Sequence, residues 1–318
     1  MELRQLEYFV AVAAEESVTE AAHVLRVSQS SVSTGLKSLE RELGVVLFDR
    51  TTRSLSITDV GQRMLPEARE VLDRLERLRS LAGQSASGIT GNLRMGSFSA
   101  MEQFGRLPEI LTQFRAAYPC VDVSIRASRT GSTGLTEDLL RGRLDLAFSA
   151  LPGTTEIETV ELTSAPYVLV VPTGHRLAAR ESVALAELEG EEWVDVVEGY
   201  GNRIQVEHTL HERGMTRRVT AEVTSLPSIP GFVAAGAGVA VIPDLVATTG
   251  CAKVHLLDAV PRWRLSLAMR RGARRRPQIA AFTAIVEQVF RGPVPAVTGS
   301  ARPARPAQHT ELFGSADD

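Results

Sequence analysis

From Leu3 to Leu43 the apolar residues recur at helical spacing, and capping residues divide the stretch into three short helices. Leu3, Leu6, Val10 and Ala13 mark one face of the first. Ser17, with Glu20 three residues on, reads as a capping box that opens a second helix carrying Ala21, Ala22, Val24 and Leu25. A turn at Arg26-Val27 leads to Ser28, an N-cap for a third helix in which Val32, Leu36, Leu39 and Leu43 form one buried stripe. At about 100° per residue, Ser30, Thr34, Lys37, Ser38 and Arg41 point away from that stripe. A merely solvated face is one reading. The other is a helix kept slim, with hydroxyls and a lysine placed to reach base edges and phosphates in a DNA major groove.

Next, Leu55 and Ile57 alternate with hydroxyl residues after Phe48-Asp49-Arg50, which predicts a short hairpin with Arg50 and Arg53 near its tip. Beyond Asp59 the chain is helical again. Met64, Ala68, Val71, Leu75, Leu78 and Ala82 step alternately by four and three, an a/d seam narrow enough to require a partner helix. The helix ends in the small-residue run Gly83 to Gly88.

The grammar then changes to alternating strands and helices, which predicts a mainly parallel sheet. Strands are expected at 93–97, 121–127, 144–148, 157–162, 167–171, 193–197, 218–223, 239–242 and 265–269. Helices are expected at 108–117, 135–141, 204–213, 231–235 and 278–290. The proline-punctuated segment 292–318 has almost no large apolar residues and is expected to be a disordered tail.

Composition adds bounds. The 318 residues, 44% hydrophobic and 23% charged, suit a protein of two or three folding units. The net charge of −3 argues against a strongly basic nucleic-acid binder, but it hides a local feature. Between Arg26 and Arg53 five cations (Arg26, Lys37, Arg41, Arg50, Arg53) face three acids (Glu40, Glu42, Asp49). Cys120 and Cys251 stand too far apart for a CxxC pair and too few for a disulfide scaffold or a four-cysteine zinc site. The first twenty residues lack a basic region leading an apolar one, and no stretch approaches the roughly 20 apolar residues of a membrane span, so a cytoplasmic protein is expected.

The run Leu3 to Ala13, then Ala21-Ala22, Val27-Ser28-Gln29, Val32-Ser33, Leu39-Glu40, Glu42-Leu43-Gly44, Leu47-Phe48-Asp49-Arg50 and Thr58-Asp59-Val60-Gly61 resembles the N-terminal domain of LysR-type transcriptional regulators. A weaker match continues through Leu93 to Gly96, Phe114-Arg115, Tyr118-Pro119, Gly142 to Ala147 and Ala234 to Pro243. The resemblance implies an N-terminal all-α winged helix-turn-helix (1–60), a long coiled-coil linker helix (61–88) and a C-terminal α/β two-lobed effector domain (89–291) resembling type 2 periplasmic binding proteins. Lobe I is expected at about 89–163 and 268–291 and lobe II at about 164–267, with crossovers near Leu162 to Pro166 and Leu265 to Ala268. Family members often carry proline where Ser30 stands, and Gly35 inside the recognition helix costs about 1 kcal/mol relative to alanine, so operator preference does not transfer.

On this reading Gln29, Ser30, Ser33, Thr34 and Lys37 meet the groove, Arg50 and Arg53 meet phosphates, and Met64 to Ala82 pair two chains. Ser97, Phe98, Ser99 and Ala100, then Gly131 and Ser132, follow strands and open helices, a geometry suited to a carboxylate or sulfate. Asn202, Arg203 and Thr224, in the segments Tyr200 to Arg203 and Thr224-Ser225, stand opposite them. The implied partners are double-stranded promoter DNA, a small, anionic effector and a second copy, in homodimers or homotetramers, with RNA polymerase as a further candidate; no cofactor, metal or membrane is implied. The competing reading is an enzyme or solute-binding protein of the same fold. His208 and His211 give HxxH on a helix, but no third ligand and no GxSxG elbow accompany them. The basic run Arg270 to Arg276 reads as a solvated loop.

Overall fold

The computed structural model describes residues 1–50, 55–84, 88–98, 106–128, 130–258 and 260–292. The expectations for Arg53, Ser99, Ala100 and the tail from 293 on lie outside these residues, as do the side-chain surroundings of Arg50 and Ala82.

The head consists of α1 (Leu3–Glu15), α2 (Val18–Leu25), α3 (Gln29–Leu43) and an antiparallel hairpin of β1 (Phe48–Arg50) and β2 (Leu55–Ile57). Leu6, Phe9 and Val12 of α1 pack with Ala21 and Ala22 of α2 and with Val32, Leu36 and Leu39 of α3. Phe48 closes this core edge-on to Phe9, with ring centroids 5.7 Å apart. The buried stripe of α1 thus runs through Leu6, Phe9 and Val12. Leu3, expected on it, lies exposed at the rim where the helix begins.

The linker helix α4 (Asp59–Gln84) starts where the Thr58 hydroxyl accepts the Gly61 amide at 3.0 Å. Its first turns pack on its own head: Ala68 is buried there, with Met64, Leu65 and Leu72 against the same core. This corrects the seam read from the sequence. Met64 and Ala68 are occupied within one chain, and only the distal half of the seam is offered outward, with Val71 and Leu78 exposed and Leu75 half-buried.

The C-terminal unit has two lobes. In the first, β3 (Gly91–Ser97) runs parallel to β4 (Val121–Ala127) and β5 (Leu146–Ser149), joined by α5 (Arg106–Ala117) and α6 (Gly131–Leu140). The strand β6 (Ile157–Ala165) leads across Pro166 into the second lobe. There β7 (Tyr167–Pro172) and the short β8 (Ser182–Val183) precede β9 (Glu192–Val196), α7 (Gly201–His211), β10 (Arg218–Val223), α8 (Ile229–Ala234), β11 (Ala240–Pro243) and β12 (Cys251–Leu256). The chain returns as β13 (Trp263–Arg270) and ends on α9 (Pro277–Phe290), whose Phe282 meets Phe114 of α5 at 5.1 Å between centroids.

The sheets are mixed rather than mainly parallel. The returning β13 lies antiparallel between β5 and β6, from Trp263 opposite Ala165 to Arg270 opposite Ile157, giving the order β4-β3-β5-β13-β6. In the second lobe β7 is antiparallel to both β11 and β12, while β9 and β10 are parallel. Because all of β13 belongs to the first sheet, the return crossover precedes Trp263 instead of falling at 265–268. Cys251 opens β12, which is not among the strands expected from the sequence; Lys253 and His255 break the apolar run that would have announced it.

Head and first lobe meet at the turn after α6. Arg69 of α4 donates to the carbonyl oxygens of Leu140, at 2.7 Å, and Arg141. Arg143 donates to the Ala14 carbonyl at 2.7 Å, and Arg141 pairs with Glu16 at 3.0 Å. Just beyond, Asp145 is held by Arg94 and Arg276, at 3.0 and 2.6 Å.

Candidate DNA-binding face and effector cleft

The outward face of α3 exists because its inward face is spoken for. Val32, Leu36 and Leu39 are buried, which leaves Gln29, Ser30, Thr34 and Lys37 exposed and Ser33 half-buried. Ser28 caps the helix by accepting the Ser31 amide at 3.2 Å, and its hydroxyl also bonds those of Ser30 (2.9 Å) and Ser31 (2.8 Å). Gly35 has a packing reason: a Cβ there would stand 2.5 and 2.7 Å from the ring of Tyr8, so α1 and α3 touch through a glycine. Sequence reasoning counted only its helix penalty, because nothing local says that Tyr8 lies across it.

The hairpin is fixed to α3 by Glu40, whose Oε1 accepts the Leu47 and Phe48 amides at 2.9 and 3.4 Å. Thr58 donates to the Val46 carbonyl at 2.8 Å, and Gly61 sits where a Cβ would meet the Leu47 carbonyl oxygen at 2.5 Å. These contacts tie together α3, β1 and α4. Arg50 ends β1 opposite Leu55, at the mouth of the hairpin tip. Glu40 was missed as a positioning residue; as one of three acids between Arg26 and Arg53 it carried no signal that set it apart.

In the cleft, the structure brings together residues from both lobes. Ser97 and Phe98 are buried at the end of β3, and Gly131 and Ser132 are buried at the start of α6. Ser132 accepts the Ala150 amide at 3.1 Å. From the second lobe, the Gly199 carbonyl accepts both the amide and the hydroxyl of Thr133 at 3.1 Å. Tyr200 lays its ring on Gly131, where a Cβ would come within 2.6 Å of it, and donates its hydroxyl to the Thr224 carbonyl at 3.1 Å. Gly131 itself has φ of 58°, a left-handed conformation that suits glycine. Thr224 is exposed beside Ser225, whose buried hydroxyl has no hydrogen-bond partner among the described residues.

Asn202 and Arg203 do not join this group. They lie one and two residues into α7, and that phase turns them into the second lobe. Asn202 donates to Asp195 at 3.2 Å and to the Val241 carbonyl at 3.4 Å. Arg203 is ringed by Glu207 (2.8 Å), Glu222 and Glu198 (3.4 Å), which hold its pKa up against burial and leave no net charge for an anion. Contrary to the sequence reading, these two side chains therefore do not face the cleft; Tyr200, packed on Gly131, does. Asp195, bonded to Asn202 and 2.6 Å from Arg217, has its carboxyl pushed up by burial, which Arg217 only partly offsets. His208 and His211 are exposed, and among the described residues no group of three or more His, Cys, Asp and Glu is placed to hold a metal.

Comparison with known proteins covers both units. The family model for the bacterial regulatory helix-turn-helix protein of the lysR family matches residues 3–62, and that for the LysR substrate binding domain matches 86–291. A hydrogen peroxide-inducible genes activator of Dickeya chrysanthemi is 32% identical over 77% of this chain and 80% of its own length. A probable hydrogen peroxide-inducible genes activator of Streptomyces viridosporus is 31% identical over 91% and 94%. Among solved structures, a full-length cysteine-to-aspartate variant of OxyR from Pseudomonas aeruginosa superimposes with a TM-score of 0.69 at 26% identity, covering 95% of this chain and 99% of that one.

Proposed function

Because the chain belongs to the LysR family of bacterial transcriptional regulators, we propose that it acts in the cytoplasm as a dimer or tetramer reading a dyad-related promoter site, under control of a small anion between its lobes. The observation that carries the DNA reading is the outward face of α3, where Gln29, Ser30, Thr34 and Lys37 are exposed on a helix whose opposite side is core. Among the described residues no helix is long and apolar enough to cross a membrane. Pairing of two heads is supported by the distal seam of α4, where Val71 and Leu78 are exposed.

The cleft supports an anionic effector because α6 and α7 both begin at it, at Gly131 and Gly201. Helix starts present amide N–H groups and positive dipole ends, here beside the hydroxyls of Ser97, Ser132 and Ser225. Peroxide sensing through thiols, suggested by the names of several relatives, is disfavoured. The Cys251 thiol donates to the Pro230 carbonyl at 3.1 Å and burial pushes its pKa up, whereas Cys120 is exposed beside the first lobe's β4. A peroxide-reactive thiol needs the opposite, a lowered pKa and a resolving cysteine nearby.

The test is a gel shift on promoter fragments recovered by in-vitro selection. Lys37→Ala should weaken binding and reduce the slope of log affinity against log salt by about one. An unchanged affinity and slope across the salt titration would remove Lys37 from the interface.

A further inference from the structure

The arginine run near the C-terminus is used neither by the DNA face nor by the inter-lobe cleft. It is not a plain solvated loop. Arg270, Arg271, Arg275 and Arg276 line a cavity of about 470 Å³ whose far wall is α4, with Arg69 and Glu70. Five guanidinium groups therefore share one concave space with two carboxylates, those of Glu70 and Glu156.

Among the described residues, Arg271 and Arg275 are matched by no carboxylate. Glu70 already pairs with Arg74 at 2.6 Å. Arg276 is matched by Asp145, at 2.6 Å. Arg271 donates to the carbonyl oxygens of Thr155 (2.8 Å) and Thr154 (3.5 Å), neutral acceptors that satisfy N–H groups without offsetting the charge. Arg275 is exposed and makes no ion pair among the described residues. A concave surface with an excess of one sign of charge focuses the field and concentrates counter-ions, and guanidinium forks match the oxygen spacing of phosphates and carboxylates. The volume falls within the range of small-molecule sites and is far too small for a nucleic-acid duplex.

We propose that this cavity is a second anion site, distinct from the inter-lobe cleft, which takes a small multiply charged phosphate or polycarboxylate. Bound there, the anion bridges the linker helix through Arg69 and the first lobe through Arg271 and Arg275. It thereby strengthens the junction between head and sensor that Arg69 already makes with the carbonyls of Leu140 and Arg141.

Isothermal titration of the full-length protein with sodium pyrophosphate, and separately with citrate, at constant ionic strength tests this; fixed salt equalises screening. One saturable equivalent per chain is expected for at least one probe. Pyrophosphate alone assigns the site to phosphates, citrate alone to polycarboxylates, and either supports the site. Arg271→Ala and Arg275→Ala should each weaken binding about tenfold, the loss of one charge-assisted contact. Arg274→Ala should stay within about twofold, because Arg274 pairs with Glu287 at 2.7 Å and lies off the cavity wall. Absence of saturable binding overturns the proposal, as does an equal loss in Arg274→Ala. Binding abolished by Ser132→Ala but intact in both cavity variants places the anion in the inter-lobe cleft and also overturns it.

Discussion

Replacing Asp145 with asparagine tests the charge network under the junction of head and sensor. The Asp145 side chain is 1% exposed, and burial alone would raise its pKa. The guanidinium groups of Arg94 and Arg276, with the Arg94 amide, outweigh burial and lower it from 3.8 to about 2. At 1.36 kcal/mol per unit, that difference is worth about 2–3 kcal/mol of folding stability at neutral pH. The sign follows from a folded-state pKa below the unfolded one: the contribution is complete well above pH 3.8 and is lost as pH falls toward 2. It remains nearly whole at pH 4 and is about halved at pH 3. Asp145→Asn keeps the shape but leaves Arg276, 12% exposed, facing a neutral amide. The loss at pH 7 should be at least about 2 kcal/mol, rising toward the 3–5 kcal/mol typical of a broken buried pair. Urea denaturation of both proteins at pH 7, 4 and 3, followed by the fluorescence of Trp263 in the adjacent sheet, measures the difference. The gap should close by roughly 1 kcal/mol between pH 7 and pH 3. A gap that is constant over that range, or below about 1 kcal/mol at pH 7, would refute the assignment of this stability to ionised Asp145.

Gly35→Ala should destabilise the head by up to about 2 kcal/mol, since overpacking against Tyr8 outweighs the helix-propensity gain of about 1 kcal/mol. In a Tyr8→Leu background the same change should become neutral or stabilising in thermal melts, and additivity of the two changes would sink the contact argument. Leu78→Glu should yield monomers in sedimentation with the head still folded, whereas Ala68→Glu should unfold the head, because Ala68 is buried in its own chain's core. A dimeric Leu78→Glu variant would contradict the distal seam. Gln278 is fully buried with neither amide atom bonded among the described residues, so Gln278→Leu should raise stability by about 1–3 kcal/mol in denaturant titrations, and a loss would show a partner that the geometry misses.

The head was legible because its signals are local. A cap at Ser28 and a stripe of Val32, Leu36 and Leu39 suffice to orient a helix, and with it the exposed Lys37. The corrections share one cause, a partner distant in sequence. Gly35 is explained by Tyr8, the proximal seam by the head core, and the mixed sheet by a strand that returns from the far lobe. Arg203 is the sharpest case. At a strand-to-helix junction, an arginine next to an asparagine reads as an anion ligand from type and position alone. Its role was decided instead by Glu198, Glu207 and Glu222, three carboxylates whose convergence no spacing rule announces. Tyr200, three residues earlier, stood in the same motif and points the other way, because it precedes α7 as its N-cap and packs on Gly131 of the opposite lobe, whereas Asn202 and Arg203, one and two residues into the helix, turn home. The strand-to-helix junctions located the cleft, but helix phase decides which of their residues face it. The same holds for the arginine run after β13: its charge was visible in the sequence, and only the packing of α4 against it gives that charge a concave site to act in.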